Sequence, residues 1–132
     1  MFGRSFLFAA VATCCAFASP DPTDPIFSKQ APESYQAEFT TNVGTFIIEV
    51  TRNLAPIGAD RFYGLVSSGF YDGNEFFRVV PNFVVQWGIN GSPSVQSKWR
   101  DAHIQDDPNH MSNALGTVVF ATSGTDSRTT RK

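Results

Sequence analysis

The pattern of apolar and polar positions predicts a β-hairpin near the start of a folded domain. Apolar and polar residues alternate through residues 35–41 and again through residues 45–50, which is the period of a half-buried strand. Residues 42–44 between them include an asparagine and a glycine, which favour tight turns. We therefore expect two antiparallel strands joined by a short loop.

A second hairpin is predicted for residues 76–88. β-branched and aromatic residues flank a Pro-Asn pair at residues 81–82, where proline suits a turn because its φ is fixed and it has no N–H. Period-two alternation places Gln86 and Trp87 on opposite faces. Arg78 is the one cation in this run, and a guanidinium among apolar groups needs acceptors. A salt bridge that anchors the sheet and a functional role both remain open.

Between the hairpins, residues 55–69 have the spacing of an amphipathic helix. Ala59, Phe62 and Val66 recur at helical intervals. Gly69 follows the last of them and favours a helix C-terminus. With one helix among several short strands, the predicted fold class is mainly β.

The remaining segments have less regular patterns. Residues 88–113 are polar and aperiodic and are expected to form a long loop, anchored to the core by Trp99, Ile104 and Met111. Residues 115–122 predict a further strand.

The N-terminal sequence is typical of a secretory signal. Arg4 precedes an apolar stretch at residues 6–17, and residues 16–18 form an Ala-x-Ala cleavage pattern. We predict a signal peptide at residues 1–18, with a buried N-terminal helix as the alternative. Residues 19–34 are rich in proline and polar residues, which predicts a flexible linker.

This leader implies a location in the secretory pathway or outside the cell, with the periplasm and the endoplasmic reticulum lumen as options. A plastid leader is a minor alternative, and Asp21 and Asp24 argue against it because transit peptides avoid acidic residues. Both cysteines, Cys14 and Cys15, lie in the leader, so the mature chain is expected to have no disulfide framework.

Length and charge narrow the function classes. A chain of 132 residues favours one domain, and a net charge of −2 gives no electrostatic footprint for nucleic acid or an anionic membrane. No uninterrupted apolar window is long enough to span a bilayer, so no membrane span is expected. His103, Asp106, Asp107 and His110 show no recognised ligand spacing, which favours a solvated loop over a metal site.

The segment 76–88 resembles the active-site segment of cyclophilins. Seven residues match that pattern in order and without gaps: Phe76, Arg78, Val79, Pro81, Phe83, Gln86 and Gly88. The following Ile89-Asn90-Gly91 is similar to the bacterial-type secreted branch. The resemblance implies a closed antiparallel β-barrel with capping helices, and it defines residues 35–132 as a cyclophilin-like domain.

The resemblance implies a peptidyl-prolyl cis-trans isomerase that needs no cofactor and no metal. The implied catalytic residues are Arg78, Phe83 and Gln86. The implied substrate-binding residues are Phe83, Gln86, Ala121, Thr122 and Arg131. Arg131 stands where the family usually has Gln, and Thr122 stands where many eukaryotic members have Asn. The expected partners are proline-containing peptides and unfolded protein clients, bound by a monomer.

The resemblance covers about the first two thirds of the family's domain. We therefore expect a domain that is incomplete at its C-terminus, and a chain that is poorly stable or prone to aggregation because open sheet edges expose unpaired N–H groups. The alternative function is a non-catalytic module that binds proline-containing peptides. A ligand-binding barrel of another family is disfavoured because Arg78, Phe83 and Gln86 match together.

Overall fold

The computed structural model describes residues 19–132. The predicted signal peptide at residues 1–18 lies outside the described residues and stays a prediction. None of the helices in the described part is long and apolar enough to cross a membrane.

Within residues 19–132, four strands and two α-helices follow one another. In order they are β1 (Ser34–Thr41), β2 (Gly44–Thr51), α1 (Pro56–Ser67), β3 (Arg78–Val80), β4 (Val84–Gln86) and α2 (Pro93–Trp99). Two short 3-10 helices, Pro25–Ser28 and Arg52–Leu54, precede β1 and α1. β1 pairs with β2 and β3 pairs with β4, each in a two-stranded antiparallel sheet.

The first hairpin confirms the prediction from alternation. β1 and β2 pair along their full lengths, from Ser34 opposite Thr51 to Thr41 opposite Gly44. Gly44 closes the loop with a φ of 140°, a conformation that side chains disfavour. One face turns toward the core and buries Ala37, whereas Ile47 on the other face is exposed.

Helix α1 is also where the sequence predicts it. The N–H of Phe70 donates to the carbonyl of Leu65 at 3.0 Å, and the N–H of Gly69 donates to the carbonyl of Val66 at 3.1 Å. These two bonds form a Schellman motif, and Gly69 adopts the φ of 70° that this motif requires. The helix buries Phe62 and Leu65 against the sheet.

An aromatic core joins the two hairpins. The ring of Trp87 lies 4.9 Å from that of Phe39 and 4.7 Å from that of Tyr71, both edge to face. This geometry is favourable beyond the burial itself. The buried residues of this cluster are Ala37, Phe62, Leu65, Phe70, Tyr71, Trp87, Val95 and Trp99.

The flexible linker predicted for residues 19–34 is corrected by the structure, which packs this segment. The ring of Phe27 lies 4.6 Å from that of Trp99, and the indole N–H of Trp99 donates to the carbonyl of Pro20 at 3.0 Å. Asp21 forms a 2.7 Å ion pair with Lys98. Composition indicated too little apolar surface to fold alone, but the domain supplies the missing surface.

The loop predicted for residues 88–113 contains helix α2. Pro93 favours its first turn, and Val95 and Trp99, one helical turn apart, are both buried. Trp99 is an anchor as predicted, whereas the prediction for Met111 is wrong, since 55% of its surface is exposed.

The strand predicted for residues 115–122 does not form a ladder within the described residues. Leu115 is fully exposed and Val118 and Val119 are about half exposed. A single backbone bond from the N–H of Ala121 to the carbonyl of Arg131, at 2.9 Å, ties this segment to a neighbour. β-propensity alone does not make a strand when its faces find no partner.

A buried ion pair connects helix α1 to the segment that follows residue 120. The Asp107 carboxylate accepts the N–H groups of Ile57 and Gly58, each at 2.8 Å, at the start of α1. It also accepts the guanidinium of Arg128 at 3.0 Å, with side-chain exposures of 5% for Asp107 and 11% for Arg128. Arg128 Nε lies 3.2 Å from Asp106, without hydrogen-bond alignment.

Substituting Asp107→Asn is expected to lower the free energy of unfolding by about 3 kcal/mol, because it leaves a buried guanidinium without its main counter-charge. Urea denaturation of the two chains measures the difference. Asp101→Asn is the matched control, since Asp101 is exposed and its side chain makes no bond to the described residues. A loss below about 1 kcal/mol, typical of exposed pairs, would contradict this role.

Asp60 gives a pH-dependent contribution to stability. Arg52 donates two hydrogen bonds to its carboxylate, at 2.8 and 2.9 Å, and Ala31 donates a third at 2.8 Å. The Arg52 hydrogen bond is the main cause that lowers the pKa of Asp60 below its ordinary value. A carboxyl whose folded pKa is lowered stabilises the fold above its unfolded pKa.

The contribution of the Asp60 carboxylate to stability is tested by urea unfolding of the wild-type chain and of Asp60→Asn at a series of pH values. The difference in free energy of unfolding should be full above about pH 4, the ordinary range of an unfolded aspartate. It should shrink as the pH falls through the lower folded pKa. A difference that stays constant from pH 7 to pH 2 would show that the carboxylate charge contributes nothing.

Candidate active site

The turn between β3 and β4 presents the ring of Phe83 to solvent. Pro81 fixes the first central position of the turn, and Asn82 has a φ of 60° at the second. The N–H of Phe83 donates to the carbonyl of Val80 at 3.1 Å. This combination is typical of a type II turn. Phe83 is 76% exposed, so its ring is free to meet an apolar ligand.

Arg78 and Gln86 are directly opposite each other in the β3–β4 ladder. A guanidinium nitrogen of Arg78, Nη1, donates to Oε1 of Gln86 at 2.9 Å. The Arg78 guanidinium carbon lies 6.0 Å from the centre of the Phe83 ring. The three residues assigned by resemblance to catalysis therefore lie close together on the β3–β4 hairpin.

The hydrogen-bond partner of Arg78, Gln86, is neutral. This argues against the alternative that Arg78 forms a salt bridge that anchors the sheet. Four salt bridges are present within residues 19–132, and Arg78 is in none of them. Arg78 is also exposed, so burial does not oblige it to find a counter-ion. A salt bridge that anchors the sheet does not describe this residue in the part of the chain that the structure covers.

Residues 130–132 extend the sheet beyond β4. Trp87 and Lys132 exchange backbone hydrogen bonds, at 2.9 and 3.1 Å. The hydroxyl of Thr130 donates to the carbonyl of Gly88 at 2.9 Å, and the hydroxyl of Tyr71 donates to the carbonyl of Thr130 at 3.0 Å. These contacts fix the backbone on both sides of Arg131.

Arg131 lies on the same face of this extended sheet as Gln86. Directly paired residues share a face, and their neighbours point the other way. Trp87 and Lys132 are both buried, whereas Arg131 is exposed. We call the surface defined by Arg78, Gln86 and Arg131 the arginine face.

Of the two remaining predicted site residues, Ala121 and Thr122, only Ala121 is hydrogen-bonded to Arg131. Ala121 is half-buried and donates its N–H to Arg131. Thr122 is exposed, and its hydroxyl bonds to that of Ser127 at 2.8 Å, within a local turn. Within residues 19–132, the Thr122 side chain makes no hydrogen bond to Arg78 or Gln86, and its predicted substrate contact stays a prediction.

Two of the four polar residues considered as metal ligands, Asp106 and Asp107, have structural roles. Asp107 caps α1, and the carboxylate of Asp106 accepts the N–H of Asp126 at 3.0 Å. Within residues 19–132, no group of three His, Cys, Asp or Glu side chains could hold a metal ion.

Sequence reasoning did not predict that Gly88, Thr130 and Lys132 hold Arg131 in place. The amine of Lys132 lies 4.6 Å from the centre of the Phe62 ring. Burial lowers the pKa of Lys132 well below its usual value, and the neighbouring Arg128 acts in the same direction. Only Gly88 offered a signal in the sequence, since an isolated glycine after a strand indicates close backbone approach.

Gly88→Ala is expected to break the contact between β4 and residues 130–132. A Cβ at this position would lie 2.5 Å from the carbonyl oxygen of Thr130, and Gly88 has a φ of 96°. Strain of this kind costs about 1–3 kcal/mol. Thermal or urea unfolding measures the loss.

Gly91→Ala is the matched control for this substitution. A Cβ there meets no atom within 4 Å, and Gly91 is not at positive φ. If the two variants were equally stable, the close approach at Gly88 would not constrain the fold.

Three comparisons bear on the family. The model of the family described as cyclophilin type peptidyl-prolyl cis-trans isomerase/CLD matches residues 36–131. A peptidyl-prolyl cis-trans isomerase of Acinetobacter baylyi is 36% identical over 108 residues, which is 80% of this chain and 57% of that protein. Peptidyl-prolyl cis-trans isomerase A of Dickeya dadantii is 32% identical over 126 residues, which is 95% of this chain and 64% of that protein.

The chain spans less than two thirds of the length of these relatives. No solved structure matches. The family match covers most of the described chain and includes the Arg78–Gln86 hairpin. The chain belongs to the cyclophilin-type peptidyl-prolyl cis-trans isomerase family.

Proposed function

We propose that this protein is a peptidyl-prolyl cis-trans isomerase that accelerates rotation about Xaa–Pro bonds during protein folding. The observation that supports it best is the position of Arg78, bonded to Gln86 and 6.0 Å from the exposed ring of Phe83. A fixed donor beside an apolar surface matches what this reaction requires of a catalyst.

Rotation about an Xaa–Pro bond is slow because the planar amide loses its resonance as it twists. The barrier is about 20 kcal/mol, and the uncatalysed step takes tens of seconds or longer. The reaction forms and breaks no covalent bond. A protein therefore accelerates it by binding the twisted amide more tightly than either planar form.

In this mechanism the ring of Phe83 holds the proline ring by apolar contact. Arg78 donates to the prolyl carbonyl and favours pyramidalisation of the prolyl nitrogen, whose lone pair is released by the twist. Arginine suits this role because it is always charged and presents several fixed donors. Gln86 occupies one of these donors and orients the group.

The hydrogen bond from Arg78 is strong enough to account for a large acceleration of the reaction. One pre-positioned donor commonly stabilises a transition state by roughly 3–4 kcal/mol, or about two to three orders of magnitude in rate. No proton transfer is required, so Arg78 acts with its charge unchanged through the reaction.

We also propose the wider setting of the site. The two hairpins and two helices belong to a closed antiparallel barrel with capping helices, and Ala121, Thr122 and Arg131 contribute to its substrate-binding surface. The protein acts as a monomer on proline-containing segments of unfolded clients in the secretory pathway or outside the cell. The order of charge, apolar stretch and small residues in 1–18 supports this location.

Arg78→Ala is expected to reduce kcat/KM on a short Xaa–Pro peptide by about 100-fold or more, because it removes the transition-state donor. Peptide binding, measured by titration calorimetry, should change much less because the Phe83 ring remains. Exchange spectroscopy between the cis and trans peptide signals measures the rate.

Arg100→Ala is the matched control, since Arg100 is exposed at the end of α2 and makes no side-chain bond within residues 19–132. It should retain full activity. A wild-type chain that is folded and binds the peptide, yet has no isomerase activity, would refute the proposal. Equal activity of Arg78→Ala and wild type would refute the role of Arg78.

A further inference from the structure

We propose that Arg131 makes this site selective for prolines that have an acidic residue, Asp or Glu, within about four residues. The inference rests on the proposed isomerase function and names its substrate class. It follows from three features of the arginine face: the direction of Arg131, its charge environment and its distance from Phe83.

The direction of Arg131 is fixed by its neighbours. Thr130 and Lys132 on either side are buried, at 0% and 7% exposure, so the residue between them points outward from the core. The backbone bonds to Trp87 and Ala121 hold this geometry from both edges. Gly88 lies against the backbone of residues 130 and 131 and adds no side chain of its own, so the surface beside Arg131 stays open to a ligand.

The charge of the arginine face is not neutralised within residues 19–132. The four salt bridges there use the cations Arg52, Lys98 and Arg128, and neither Arg78 nor Arg131 takes part in any of them. Gln86 is the neutral residue of the face, and it bonds to Arg78. Two guanidinium groups therefore share one surface, and neither is in an ion pair within residues 19–132, so a client carboxylate finds two complementary charges there.

The distance between Phe83 and Arg131 sets where the acid must be. Gly88, against which Arg131 lies, is five residues along the chain from Phe83, and an extended strand advances about 3.3 Å per residue. A client bound as an extended strand advances at the same rate. With its proline at Phe83, such a client brings a residue about five positions away to the level of the Arg131 backbone. The length of the two side chains then brings an acidic residue within about four positions into reach.

The expected selectivity is modest and depends on salt. An exposed ion pair is typically worth up to about fivefold in an equilibrium constant. Like charges are disfavoured, so replacing the client's acid by lysine reverses the effect. Screening acts over about 10 Å at 0.1 M salt, so selectivity should be greatest at low ionic strength.

The test uses peptides with one proline and a single variable residue, Glu, Gln or Lys, moved from four positions before the proline to four positions after it. kcat/KM is measured for the wild-type chain, Arg131→Gln and Arg131→Lys at low and high salt. At one or two positions we expect kcat/KM of the wild-type chain to be about fivefold higher for the Glu peptide than for the Lys peptide. Arg131→Gln should bring this ratio near one, and Arg131→Lys should retain part of it.

Arg100→Gln is the control for a general change in net charge, and it should leave the ratio unchanged. No preference for Glu at any position, or a preference that survives Arg131→Gln, would overturn the inference. If the wild type turns over none of the peptides, the isomerase proposal fails. Selectivity is then decided from the dissociation constants of the same peptides, by the preference for Glu over Lys and its loss in Arg131→Gln. If Arg131→Gln fails to fold, the salt dependence in the wild type decides it.

Discussion

The site depends on one constraint: the side chains of Gln86 and Trp87, which are neighbours in the chain, point to opposite faces of the sheet. The indole of Trp87 packs edge to face on Phe39 and Tyr71, inside the core. Since successive residues of a strand face opposite sides, this burial fixes Gln86 on the outer face. The ladder then places Arg78 opposite Gln86. The core thus sets the position of a surface cation through the strand pairing.

The same tryptophan also fixes the second half of the arginine face. Its backbone pairs with Lys132, and this pairing sends Arg131 outward for the same geometrical reason. Tyr71 contributes from the core side through its bond to the carbonyl of Thr130, and burial raises the pKa of the Tyr71 hydroxyl well above its ordinary value. The hydroxyl therefore stays protonated and remains a donor at physiological pH. Around one buried indole, two short segments far apart in sequence become a continuous surface.

The elements that were predicted correctly from the sequence are those encoded by a few neighbouring residues. The hairpin around Gly44, the helix ending at Gly69 and the turn at residues 81–82 are encoded within a few residues, and all three are found where predicted. The grouping of Arg78, Phe83 and Gln86 follows from the same hairpin register. These features need no knowledge of distant contacts.

The errors concern segments whose structure depends on distant partners. The proline-rich stretch after residue 19 is ordered against Trp99, which is about 80 positions away. Residues 115–122 have strand composition but no ladder within the described chain, because composition does not specify a partner. The cap that Asp107 provides to α1 spans about 50 residues, and nothing local to either segment indicates it.

The most direct test of the account is a double-mutant cycle between Arg78 and Gln86, measured as kcat/KM on one Xaa–Pro peptide. If Gln86 acts by orienting Arg78, then Gln86→Ala should slow the wild-type enzyme but have little further effect in the Arg78→Ala background. If instead the two losses simply add, Gln86 acts independently of Arg78, and the claim that this pair forms the catalytic unit is wrong.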